Sequence, residues 1–234
     1  MAKTVGLSRN IKMQWLNKAV ALLYDNLEET EYKSALNEYL GFEIGSAINI
    51  RKTREILMHL WFYKDDETND IRELGLSLIR AYPDYALPIH WCIILITYPV
   101  FADVCKLIGR ISDFQEEITL AQLKQKLFDE WGERTTLFHS TDKIIMTMKD
   151  MGVLSCEKPG KYHIQKYPIS NEQIVNYMLL VAIKVGENSY YTLPDLTNIG
   201  VLFPFEYRMN KEQLITDDHF VINNFGGEIT VALK

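Results

Sequence analysis

A chain of 234 residues with 47% hydrophobic and 24% charged side chains has the balance of an ordinary globular protein and enough length to bury a core without disulfides or a structural metal. Its formal net charge of −6 argues against bulk, sequence-independent binding of nucleic acid, so any nucleic-acid face has to be a local patch. The odd set Cys92, Cys105 and Cys156, with no close pairing, argues against a secreted disulfide framework.

Met1 to Asn10 lacks the apolar run of a signal peptide. Ile11, Trp15, Leu16, Ala19, Val20 and Leu23 then recur at spacings of three and four. They predict a helix over Leu7 to Tyr24, with Ser8 as its N-cap. The pattern over Leu27 to Tyr39 is weaker, and Gly41 and Gly45 bracket a break. A second long helix is predicted from Asn49, its cap, to Tyr63, with Ile56, Leu57, Leu60 and Trp61 inward. Its first turns hold Arg51, Lys52 and Arg54. Cations there oppose the helix dipole. A solvated face is the ordinary reading of such a run, and an anionic partner is the alternative.

Lys64 to Asp70 reads as a polar loop, and Ile71 to Tyr82 as an amphipathic helix that Pro83 ends. Ala86 to Ile111 reads as one or two buried helices, with Pro99 as a kink or a fresh start. Its apolar part, interrupted by His90 and two prolines, falls short of the ~18 consecutive apolar residues that suggest a membrane span. No membrane partner is therefore expected, and the cytoplasm is the expected location.

After Asp113 the pattern changes. Ile118-Thr119 is a short β-like segment, and Thr119 can cap a helix to Trp131 that Gly132 closes. A turn is predicted over Glu133 to His139. Ser140 or Thr141 then caps a helix with Ile144, Ile145 and Met148 inward, ending at Gly152. Val153 to Glu157 and Tyr162 to Gln165 flank Lys158-Pro159-Gly160-Lys161, the pattern of a hairpin. Strand, helix, turn, helix and hairpin in this order is the layout of a winged helix. Beyond it, a helix from Asn171 to Lys184 capped by Ser170, a polar helix start near Asn210, and strands over His219 to Asn223 and Glu228 to Leu233 are predicted, with a turn at Asn224 to Gly227.

The fold class is thus mainly α. A helical, bundle-like N-terminal part spans 1–112 and a central winged helix-turn-helix spans 113–168. A small α/β C-terminal part over 169–234 packs on that centre.

Motifs for chemistry are missing. His59, His90, His139, His163 and His219 stand at no metal-ligand spacing. There is no phosphate-binding glycine loop and no Gly-x-Ser-x-Gly. Asp65-Asp66 and Asp217-Asp218 lie in polar segments, where solvated carboxylates are expected. No catalytic residue, cofactor or metal is therefore expected.

Surface chemistry remains. Away from Ile144, Ile145 and Met148, the helix after Ser140 is expected to show Thr141, Lys143, Thr147 and Asp150 to a major groove. Arg134 precedes it, and the hairpin adds Lys158 and Lys161. Eight Lys and Arg against six Asp and Glu over 118–168 make this segment locally basic. With Arg51, Lys52 and Arg54, these residues form the candidate nucleic-acid-binding set.

The whole layout resembles the BrxA family of bacterial BREX phage-defence loci. The likeness is carried by Asn49-Ile50-Arg51-Lys52-Thr53-Arg54, the Leu74 to Tyr85 helix ending in Tyr-Pro-Asp-Tyr, and the apolar stretch to Phe101. Met151-Gly152-Val153-Leu154, Leu202-Phe203-Pro204-Phe205 and Gly226-Gly227 complete it. The resemblance implies a helical, two-lobed, non-catalytic protein that binds double-stranded DNA. This chain is more acidic than that role suggests. Two other readings stay open: a scaffold whose winged helix docks another defence-system subunit, and a transcriptional regulator.

Overall fold

A computed structural model describes residues 6–225 and 227–234. The first helix, α1 (Met13–Leu23), starts later than its apolar stripe. Leu7 and Ile11 are fully buried, yet their segment is not helical. The N–H of Ile11 donates to Thr147 Oγ1 at 2.9 Å rather than to a helical carbonyl. The stretch is docked on a distant helix, and Lys12, not Ser8, holds the N-cap position.

The weak pattern after Leu27 is a full helix, α2 (Glu29–Gly41), with Tyr32, Leu36 and Leu40 inward. Its start is secured by a capping box between Glu28 and Glu31, which offsets the modest apolar content. Helix α3 (Ala47–Trp61) starts from Ser46, earlier than the predicted Asn49, without a side-chain cap. Helix α4 (Asn69–Ala81) follows the polar loop.

Pro99 is a fresh start. It opens α6 (Pro99–Ser112) after α5 (Ala86–Thr97), and the chain bends by 117° between them. Proline suits the first helical position because that N–H has no intrahelical acceptor. Among the described residues no single helix is long and apolar enough to cross a membrane.

The middle segment contains β1 (Glu117–Thr119), α7 (Leu120–Trp131), α8 (Thr135–Asp150), β2 (Leu154–Lys158) and β3 (Lys161–Ile164). Thr119 caps α7, accepting from Gln122 N at 3.2 Å, and Gly132 closes it at φ +76°. The strands form an antiparallel sheet in the order β1-β3-β2. Ile118 lies opposite Tyr162, and Leu154 opposite Ile164. Pro159 and Gly160 turn the hairpin, with Gly160 at φ +79°, as a type II turn requires. One extra residue between Ser155 and Lys158 makes a bulge.

The predicted turn over Glu133 to His139 is a correction: Thr135 already begins α8. Leu137 is fully buried and extends the stripe of Ile144, Ile145 and Met148 back by two turns. Ser140 and Thr141 are therefore interior helix residues, not caps.

In the C-terminal part, β4 (Tyr167–Ile169) pairs parallel with β6 (Phe205–Tyr207). Helix α9 (Glu172–Lys184) is capped by Asn171 Oδ1, one residue after the expected Ser170. Asn210 caps α10 (Lys211–Thr216). The strands β5 (Tyr191–Thr192), β7 (Phe220–Phe225) and β8 (Glu228–Leu233) form a sheet with β8 in the middle. Of the turn expected at Asn224 to Gly227, Gly226 lies outside the described residues.

The expectation that the C-terminal part packs on the middle segment is corrected for α9, which packs chiefly on α5, with β8 and α4 beside it. Both α5 over Pro88–Leu95 and α9 over Ile174–Ile183 are buried without interruption. A helix apolar on every side needs neighbours on every side, so these two form the centre of the core. Trp91 on α5 ties in the tail. Its Nε1 donates to Val201 O at 2.9 Å, and its ring meets Phe203 and Phe205 edge-on.

Candidate nucleic-acid interface

Helix α8 buries Leu137, Ser140, Thr141, Ile144, Ile145, Thr147 and Met148. Thr135, Thr136, Phe138, His139, Met146, Lys149 and Asp150 are exposed, and Asp142 and Lys143 half-buried. At about 100° per residue, the open positions share one arc centred on Met146. Lys143 and Lys149 stand about 60° to either side of it.

Two members of the expected face are thereby corrected. Thr141 is fully buried and donates to Leu137 O at 2.8 Å. Thr147 is fully buried, donates to Lys143 O at 2.9 Å and accepts from Ile11 N. The extended N-terminal segment covers that flank of the helix. Such hydroxyls satisfy the backbone of their own turn and cannot reach a ligand.

The acidic groups of α8 are occupied. Asp142 lies 2.6 Å from Lys124 Nζ, which in turn stands 3.3 Å from the centroid of the Phe138 ring. Phe138 stacks on Phe128 of α7, so this group clamps α7 to α8. Asp150 accepts from Asn10 Nδ2 at 3.0 Å and lies within the electrostatic reach of Lys12.

The other expected cations divide into tethered and open ones. Arg134 holds the N-cap position of α8. It lies over the Trp131 ring and donates to Trp131 O at 3.3 Å, while Trp131 Nε1 donates to Asp103. Its guanidinium braces the α6–α7–α8 corner. Lys161 lies 2.6 Å from Glu117 across the sheet. This bond, first, and the nearby Lys158 and His163 hold the Glu117 carboxyl below the usual carboxylate range. Lys166, beyond the hairpin and outside the expected set, is also tethered and donates to Phe203 O at 2.7 Å. Lys158 is exposed at the hairpin tip.

On α3, Arg54 bonds Glu55 at 2.5 Å and Asn37 of α2 at 3.1 Å, which makes it a brace between these helices. Arg51 and Lys52 are exposed and line a surface cavity of about 520 Å³ with Ser8, Glu55, His59 and Tyr98. The open cations of the expected set are therefore Arg51, Lys52, Lys143 and Lys158. Lys149 was missed because the expected face was centred on Thr147. Its spacing of three from Met146 is the signal that would have found it.

Among the described residues no three His, Cys, Asp or Glu side chains gather as a metal site. His90 is fully buried on α5, with Nε2 3.0 Å from Asn17 Oδ1. Burial holds its pKa down to about 3. The side chains of His219 and Asp217 meet at 2.7 Å, two residues apart in an exposed turn.

Comparisons with protein-family models, with curated proteins and with solved structures give no match.

Proposed function

We propose that residues 99–165 form a winged helix that binds double-stranded DNA through the open arc of α8. The chain would then act as a non-catalytic accessory protein of a bacterial phage-defence system of BREX type, in the cytoplasm. The observation that carries the reading is the arc itself. It is an uncovered strip about four turns long, flanked by Lys143 and Lys149, on the second of two packed helices followed at once by a hairpin. The order α6-β1-α7-α8-β2-β3 and the sheet order β1-β3-β2 support a winged helix, in which such a helix enters the major groove.

Lys143 and Lys149 would meet phosphates on the two sides of the groove, and Lys158 at the hairpin tip would meet a third. Three phosphate contacts correspond to a slope of about −2.7 in log K against log salt. Arg51 and Lys52 would add up to about −1.8 if the duplex reaches α3. Titration of a labelled duplex at several salt concentrations tests this. Reversal of both Lys143 and Lys149 to Glu should abolish measurable binding while leaving the melting temperature unchanged. Undiminished binding by the double variant would remove α8 from the interface.

The exposure of Phe138 at 41% and Met146 at 44% on the same helix favours one other reading, in which this face docks a partner subunit. Absence of duplex binding even at low salt would select it.

A further inference from the structure

We infer that Met146 is a specificity-determining residue that reads the C5-methyl group of thymine in the major groove. This rests on the DNA reading above and goes beyond it, because phosphate contacts position a protein without carrying sequence information.

The argument starts from where Met146 stands. A helix with its side chains is about 10–12 Å across and fills a major groove about 12 Å wide. The centre of its open arc then faces the groove floor, and positions well to either side face the backbone walls. On α8 the centre is Met146, while Lys143 and Lys149 take the flanks. Thr135 and His139 lie within about 20° of the same line, nearer the N-terminus of the helix. The central position thus holds an apolar side chain, 44% exposed, where a helix that only gripped phosphates would need none.

The neighbourhood fits a base-edge contact. Both carboxylates within the arc have partners already, Asp142 in Lys124 and Asp150 in Asn10. The Lys124 cation reduces the repulsion that Asp142 would exert on a phosphate, whereas the neutral Asn10 amide fixes Asp150 in place without removing its charge. Phe138 is held on Phe128 and over Lys124, whereas Met146, 44% exposed, stands at the centre of the arc. Of the two exposed apolar side chains on α8, Phe138 is engaged in clamping α7 to α8, and Met146 is the one at the centre of the open arc. Methionine is unbranched and adapts to irregular apolar surfaces. Among the four standard bases, thymine alone offers the major groove a methyl group.

The test uses two duplexes of roughly 20 base pairs, about two helical turns. One is alternating A·T DNA and the other the same DNA with deoxyuridine in place of every thymidine, so they differ only in the C5-methyl groups. Burial of one methyl-sized group corresponds to about a fourfold change in affinity. The wild-type protein should therefore bind the A·U duplex about fourfold more weakly than the A·T duplex. Met146→Ala should bind both equally, near the wild-type level for A·U, and Met146→Leu should keep most of the preference. Equal binding of the two duplexes by the wild type would overturn the inference and leave the DNA reading intact. A preference retained in Met146→Ala would also overturn it, because duplex shape or another residue would then be the reader. Failure of the wild type to bind either duplex at low salt would overturn both.

Discussion

Helices α8 and α9, of 16 and 13 residues, have opposite surroundings. Every residue of α9 from Ile174 to Ile183 is buried, so the helix is scaffold in all but its two ends. Helix α8 is packed by α7, by the hairpin and by the docked N-terminal segment, but one arc stays open. The difference is a matter of polarity around the helix. An all-round apolar helix must be enclosed. One with Thr135, His139, Lys143, Met146 and Lys149 on a single side can remain half in water at no cost in unsatisfied groups. A recognition surface can exist only on the second kind, and substitutions should divide the two sharply.

The largest effect should come from α9. Leu179 is fully buried, and Leu179→Ala should cost about 2–5 kcal/mol of folding stability, read as a shifted denaturant midpoint. A loss under 1 kcal/mol would show that the core is not centred on this helix.

Next comes acid sensitivity at His90 of α5, the partner of α9. Burial lowers its pKa to about 3, against about 6.5 for an unfolded histidine. Between these values the unfolded chain takes up a proton that the folded protein refuses. Stability should therefore fall as pH drops from about 6.5 towards 3, by up to about 1.4 kcal/mol per pH unit from this residue. Denaturant unfolding at several pH values should show a flatter profile for His90→Gln in that window. Identical slopes for the two proteins would remove His90 as the cause.

The smallest effect on stability should be at Met146. Met146→Ala alters an exposed side chain and should change folding free energy by less than about 0.5 kcal/mol. If its denaturant midpoint shifts as far as that of Leu179→Ala, the arc is not open.

The same contrast explains what could be read in advance. The apolar runs of α5 and α9, the Thr119 cap, Gly132 and the Pro159-Gly160 hairpin are local signals, and the structure has them where the pattern puts them. The start of α2 was faint because its capping box uses Glu28 in place of the usual Ser, Thr, Asp or Asn. The start of α8 was misplaced because Thr135 and Thr136 resemble turn residues, although Leu137 continues the buried stripe. The rotation of the candidate face had no local sign. Thr147 is covered by Ile11, 136 positions away, and no window along the chain contains both. Pairing was equally invisible: Lys161 and Lys158 look alike in sequence, and only the strand order puts Glu117 beside the first.

The central claim is that the open arc of α8 is the DNA face. Lysine acylation followed by peptide mass spectrometry, with and without a saturating duplex at low salt, tests it most directly. Lys143, Lys149 and Lys158 should be protected by the duplex. Lys161, held by Glu117, and Lys184 at the end of α9 should react as before. Duplex binding that leaves Lys143 and Lys149 fully reactive would contradict the account.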